Sequence, residues 1–154
     1  MNTPPLCDAR GFTLIESLAV VVLLALVVGV VAASLAPAAD RAAMDRAASA
    51  VLDADARARA IARRGEPVEL RVADGSVWVR LAQHAPALVT RQLPAATTIE
   101  LTSTVSGTPL GVIRFDARGR SPDYIFTVHS GERSTRTLVA GLTGSTTTAS
   151  EITP

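Results

Sequence analysis

The chain has 154 residues, 48% of them apolar, and 15 basic against 14 acidic side chains, which is room for one modest domain and one further element but not for two catalytic domains. A net charge of +1 excludes a strong overall field for polyanions, and every basic residue is Arg. One cysteine, Cys7, excludes an intrachain disulfide framework and a cysteine-based zinc site. Only 19% of residues are charged, yet the mean hydropathy is positive, so the apolar residues must be pooled somewhere.

They are pooled near the N-terminus. Residues 1–11 form a polar leader with Pro4, Pro5, Asp8 and Arg10, and between Phe12 and Ala39 the sole ionisable side chain is Glu16. Residues 17–35 are a nearly unbroken series of Leu, Val and Ala, and these 19 residues suffice to cross a hydrocarbon layer of roughly 30 Å as a helix. A secretory signal peptide accounts for the charge, the apolar core and the small residues Ala32, Ala33 and Ser34, but its apolar core is usually shorter. A plain one-pass anchor accounts for the length. Neither accounts for Glu16, because a lone carboxylate at membrane depth is costly unless it is paired or protonated.

The hexapeptide Gly11-Phe12-Thr13-Leu14-Ile15-Glu16, followed directly by the apolar run, resembles the processing motif of type IV prepilins and pseudopilins. The resemblance implies that a prepilin peptidase cuts between Gly11 and Phe12, that Phe12 is N-methylated, and that Cys7 is discarded with the leader. It also implies a role for Glu16 in assembly: the new amine at Phe12 of one subunit and the Glu16 carboxylate of another share one poorly solvated depth, and pairing them offsets two desolvation costs. Small residues along the helix, Ala19, Ala25, Gly29, Ala32 and Ala33, fit either close helix packing or ordinary lipid-facing composition.

Pro37 is placed to kink or interrupt the helix, and residues 40–64 resume a helical pattern in which Ala43, Ala47, Val51, Leu52 and Ile61 can form an apolar stripe. Asp40 is suited to an N-cap, and Gly65 and Pro67 stop the helix. The period then changes to two. Val68, Leu70 and Val72 alternate with Glu69 and Arg71, Asp74-Gly75 is a two-residue turn, and Val77, Val79 and Leu81 resume the alternation, which predicts a β-hairpin. Further strands are expected over 97–102, 111–116, 124–130 and 134–140, so an antiparallel sheet should cover the outer half of the helix. Residues 141–154 are a tail rich in Thr, Ser and Gly whose last residues are expected to be mobile and whose start is expected to be anchored by Leu142.

Residues 112–121 (Val-Ile-Arg-Phe-Asp-Ala-Arg-Gly-Arg-Ser), then Gly131 and the run Gly141-Leu142-Thr143-Gly144, resemble the C-terminal pattern of H-type minor pseudopilins and the related FimT-like minor pilins. The implied fold is α+β and type IV pilin-like: a long N-terminal transmembrane helix followed by an antiparallel β-sheet domain. The implied division is a leader at 1–11, a transmembrane and assembly helix at 12–36, its periplasmic continuation at 37–65, and a β-domain at 66–154. The implied function is structural, as a minor pseudopilin of a type II secretion system. It would sit single-pass in a bacterial inner membrane with its C-terminal domain in the periplasm. Its partners would be other minor and major pseudopilins and the prepilin peptidase. The alternative is a FimT-like minor pilin of a type IV pilus that contributes to DNA uptake. Because the tip-most K-type subunit typically lacks the acid, Glu16 implies a place beneath such a cap.

Enzymatic chemistry finds little support in the residues. His84 and His129 have no neighbouring ligands to complete a metal set, and no nucleophile elbow, HExxH motif or phosphate-binding loop is present. No cofactor, metal or small-molecule substrate is expected. Asp53 and Asp55 alternate with bases and are expected on a solvated helix face. Arg114, Arg118 and Arg120, diluted by Asp116 and Asp123, are read as a solvated turn, so no nucleic-acid partner is expected; Trp78 is expected to be partly buried.

Overall fold

A computed structural model describes residues 14–81 and 86–152. The first element is α1, Leu14–Ala62, with Pro37 inside it. Proline removes one backbone donor and crowds the preceding turn, and contacts divide the chain just past that residue into two compact units, Met1–Ala38 and Ala39–Pro154. In the first unit the described side chains of α1 are solvent-exposed throughout, Leu, Val and Ala alike.

In the second unit, Ala43, Ala47, Val51, Ala54, Ala58 and Ala62 recur at spacings of three and four and are all buried, joined by Met44. Leu52 and Ile61 pack at the margin of this stripe. Five of the six periodic residues are alanines, so backbone and sheet approach closely without large knobs between them. The helix ends in a tight turn in which Gly65 N–H donates to the Ala62 carbonyl at 2.9 Å, with Gly65 in the left-handed region at φ 101°.

Eight strands follow among the described residues: β1 Val68–Ala73, β2 Ser76–Leu81, β3 Val89–Gln92, β4 Thr97–Ser103, β5 Ile113–Phe115, β6 Tyr124–Ser130, β7 Arg133–Val139 and β8 Thr146–Ile152. They form two four-stranded sheets, ordered β3-β2-β1-β5 and β4-β6-β7-β8, with every pairing antiparallel. The β1–β2 hairpin turns at Asp74 (φ 51°) and Gly75 (φ 66°), the paired positive angles of a type I′ turn that matches strand twist. Val68, Leu70, Val77, Val79, Ile113 and Phe115 of one sheet join Leu101, Tyr124, Phe126, Val128 and Val139 of the other and the alanine stripe in one core.

Three features differ from expectation. The sheet is split in two, a division that pattern alone does not encode because both halves alternate alike. Strand β3 lies outside the expected strands because Val89-Thr90-Arg91-Gln92 has a single apolar residue; it is an edge strand and needs no apolar face. The tail expected to be mobile at its end instead holds β8, paired residue for residue with β7 from Val139↔Thr146 to Arg133↔Ile152. Its β-branched threonines favour strand geometry without supplying hydrophobicity. Leu142 does not anchor this segment, being 70% exposed at the tip of the β7–β8 connection.

Candidate functional site

Two regions concentrate chemistry that packing alone does not require: the start of α1 and a buried polar cluster in the second unit. Glu16 lies in the first turn of α1, where a carboxylate complements the partial positive charge of the helix N-terminus. It is exposed, and the residues around it, Leu14 (83%), Ile15 (79%) and Leu18 (60%), are exposed apolar side chains. So large a continuous apolar surface marks a site that contacts a membrane or other protein. This part of the helix is apolar and long enough to cross a membrane. Gly11 and Phe12, with the rest of the leader, lie outside the described residues.

Residues 7–32 match the family model described as the prokaryotic N-terminal methylation motif. No curated protein and no solved structure matches the chain significantly. The motif marks a type IV pilin-like, prepilin-type N-terminus, and it implies processing by a prepilin peptidase and assembly with pilin-like subunits. The α+β arrangement, one long apolar N-terminal helix followed by antiparallel sheets, agrees with a type IV pilin-like fold.

The buried cluster centres on Arg59, 4% exposed, and Asp55, 4% exposed, one helical turn apart on α1. Arg59 Nε donates to Asp55 Oδ2 at 2.6 Å and Nη2 to Oδ1 at 3.2 Å, a two-pronged pair. The remaining donors reach distant segments: Nη1 to the carbonyls of Gly119 (3.1 Å) and Gly141 (2.6 Å), Nη2 to Ser121 Oγ (3.2 Å). The guanidinium carbon also lies 5.2 Å from the Phe115 ring centroid. Tyr124 completes the set by donating its hydroxyl to Asp55 Oδ1 at 2.8 Å. Burial, together with the adjacent Asp55 carboxylate, pushes the Tyr124 phenol far above its usual range, so it stays a donor.

Gly119 and Gly141 explain themselves here. A Cβ on Gly119 would come within 2.9 Å of the Arg59 carbonyl oxygen. On Gly141 it would fall 1.9 Å from the Ser121 carbonyl oxygen. The Gly141 N–H donates to Asp123 Oδ1 at 2.6 Å, and its carbonyl accepts from Ser121 N–H as well as from Arg59. The cluster therefore fastens the β5–β6 and β7–β8 connections to α1. Asp55 corrects the expectation of a solvated acidic face: Asp53 does face outward, salt-bridged to Arg57 and Arg91, but Asp55 lies beside Ala54 and Ala58 on the buried side. Hydrophobicity patterning discards a charged residue from a core, and only its i,i+4 spacing to Arg59 hinted at a pair.

Of the remaining candidates, Arg120 is bound to Asp116 at 2.7 Å in the β5–β6 turn, and Asp116 also accepts the N–H groups of Arg118 and Arg120. Hydrogen bonds from the Arg120 side chain and backbone hold the Asp116 carboxyl at about 2. Arg114 turns instead to Glu69, which it meets at 3.1 Å while Arg80 meets the other carboxylate oxygen at 3.0 Å. Glu69, Arg80 and Arg114 are cross-strand neighbours, Glu69↔Arg80 and Glu69↔Arg114, so Arg114 and Arg120 bind separate acids although both line one groove beside Phe115 and Ser121. Trp78 is partly buried, opposite Arg71, with its indole N–H lacking a hydrogen-bond partner among the described residues. His129 sits in β6 opposite Ser134, and His84 lies outside the described residues. Among the described residues no three His, Cys, Asp or Glu side chains are grouped to hold a metal ion.

Proposed function

We propose that this protein is a minor pseudopilin of a type II secretion system, similar to the H type, acting as a structural subunit near the tip of a periplasmic pseudopilus rather than as an enzyme. The observation that carries this reading is the methylation motif at residues 7–32 continuing into an exposed apolar helix that bears Glu16 in its first turn. Hydrolysis of the Gly11–Phe12 bond frees an amine at Phe12, whose charge pairs with Glu16 of the neighbouring subunit and sets axial register. The apolar helices then pack side by side. Mature chains would sit single-pass in the inner membrane with the second unit in the periplasm, beneath a cap subunit that lacks the acid. The H-type assignment is supported by the segment 112–121 and the Gly141-Leu142-Thr143-Gly144 run, whose Gly119, Ser121 and Gly141 converge on Arg59.

A second reading is a FimT-like minor pilin of a type IV pilus that contributes to DNA uptake. It is favoured by the excess of guanidinium over carboxylate around Glu69, where Arg71, Arg80 and Arg114 surround one acid. Mass spectrometry of the membrane-extracted protein tests the shared premise: a mature chain beginning with N-methylated Phe12 is expected, and one beginning at Ser34 or Ala38 overturns it. Restoration of exoprotein export by the wild-type chain in a strain lacking it supports the secretion reading; restoration of piliation or DNA uptake alone supports the other.

A further inference from the structure

Two four-stranded sheets present four edges, and an open edge is a row of backbone donors and acceptors that invites another strand. Three of these edges are blunted. Strand β5 is three residues long. Strand β3 is four residues long and carries Arg91, which is tied to Asp53 of α1 at 3.3 Å. Strand β4 is covered by its own return segment: Leu110 N–H donates to the Leu101 carbonyl, Ser103 N–H to the Thr108 carbonyl, and Pro109 bridges Thr102.

Strand β8 is different. It runs seven residues, Thr146–Ile152, pairs on one side with β7, contains no proline, and carries a single charged residue, Glu151, near its end, which leaves Thr146–Ser150 without a charge to discourage pairing on the other. Beside it, between α1 and the end of the sheet, lies a groove of about 290 Å³. Its floor is Met44, Ala48 and Leu52, and Thr137 and Thr148 form one wall, their hydroxyls 3.2 Å apart. Asp45 is the one charged residue that lines it.

We propose that β8 and this groove together receive an extended segment of another protein subunit, added as a fifth strand to the β4-β6-β7-β8 sheet. Side chains of neighbouring strands at one register position share a face, so every second residue of an added strand, opposite Thr146 and Thr148, points to the α1 side. There the floor accepts aliphatic side chains. The incoming segment is therefore extended and proline-free, aliphatic at alternate positions, and neutral or basic where it passes Asp45. Backbone hydrogen bonds supply the affinity and the groove supplies the selectivity. The site lies wholly within the second unit and does not depend on which apparatus the chain serves.

Hydrogen exchange on the full chain in detergent micelles tests this, with a synthetic octapeptide alternating Thr and Val behind one N-terminal Arg as the probe. Excess peptide is expected to slow amide exchange within residues 146–152 by about tenfold or more, leaving β6 unchanged. The same peptide with its central Val replaced by Pro, or the wild-type peptide added to Ser49→Trp, whose exposed position lets the indole cap the groove, is expected to give no slowing. Absence of slowing with the Thr/Val peptide overturns the proposal, as does equal slowing by the Pro peptide. Slowing that grows with protein concentration without any peptide also overturns it, because the occupant is then a second copy of this chain.

Discussion

The two parts of α1 solve opposite problems with almost the same alphabet. Before Pro37 the helix shows large aliphatic side chains on every side, and the described ones are all exposed. From Ala43 onward the buried positions are mostly alanine, and the charged residues of this part lie mainly on its other faces, Asp55 and Arg59 excepted. An environment that surrounds a helix rewards aliphatic bulk all round, whereas a sheet on one side rewards a narrow, flat stripe. Each part also carries an acid whose setting differs: Glu16 is exposed among apolar side chains, and Asp55 is buried and hydrogen-bonded inside the fold.

Removing those acids should separate the two parts. Asp55→Ala leaves Arg59 buried with carbonyl partners but no counter-charge, and a loss of about 3–5 kcal/mol is expected in denaturant unfolding monitored at Trp78. Gly141→Ala forces a methyl group against the Ser121 carbonyl, and about 2–4 kcal/mol should go with it, read by the same method. A smaller effect belongs to acid. Burial of Glu69 raises its pKa, but hydrogen bonds from Arg114 and Arg80 more than reverse this and bring it below the ordinary 4.5. A carboxylate depressed on folding stabilises above its unfolded value, so that contribution is present at neutral pH and fades as the pH falls below about 4.5. Unfolding midpoints measured from pH 6 to 3 should fall more steeply for the wild type than for Glu69→Gln. Least affected should be the stability of Glu16→Ala, within about 0.5 kcal/mol of wild type, because its side chain is exposed. The same variant is expected to be cleaved and inserted normally yet to fail in co-purification with partner subunits. Wild-type levels of assembly would erase the contrast between the two acids.

Much of the fold was legible because periodicity reports which face is buried. The change from a 3.6-residue to a two-residue repeat after Gly65 marks the start of the strands, and Asp74-Gly75 announces its turn through the left-handed angles it must adopt. The prepilin-type N-terminus was legible because it is a contiguous local string. Strands β3 and β8 were not, since edge strands made of Thr, Arg and Gln carry no alternation of hydrophobicity. The Asp55–Arg59–Tyr124 cluster was illegible for another reason: its hydrogen bonds join positions up to 82 residues apart, and no local pattern anticipates that their polar groups will satisfy one another. The glycines at 119 and 141 were visible as part of a resemblance, but their physical necessity emerges only when the Arg59 side chain and the Ser121 backbone are in place.

That single guanidinium also imposes an order of events on the newborn chain. Arg59 emerges early, yet its shortest carbonyl contact, Gly141, lies 82 residues downstream, and Tyr124, which completes the coordination of Asp55, lies 69 residues from its acceptor. Until the last strands arrive, Asp55 and Arg59 can pair only with each other on α1, and they lack the Tyr124 hydroxyl and the Gly119 and Gly141 carbonyls that complete their hydrogen bonding. The last connection of the chain is thus part of what satisfies its first element, and truncation before Gly141 is expected to leave Arg59 Nη1 without its 2.6 Å carbonyl partner and to destabilise the whole domain rather than its end alone.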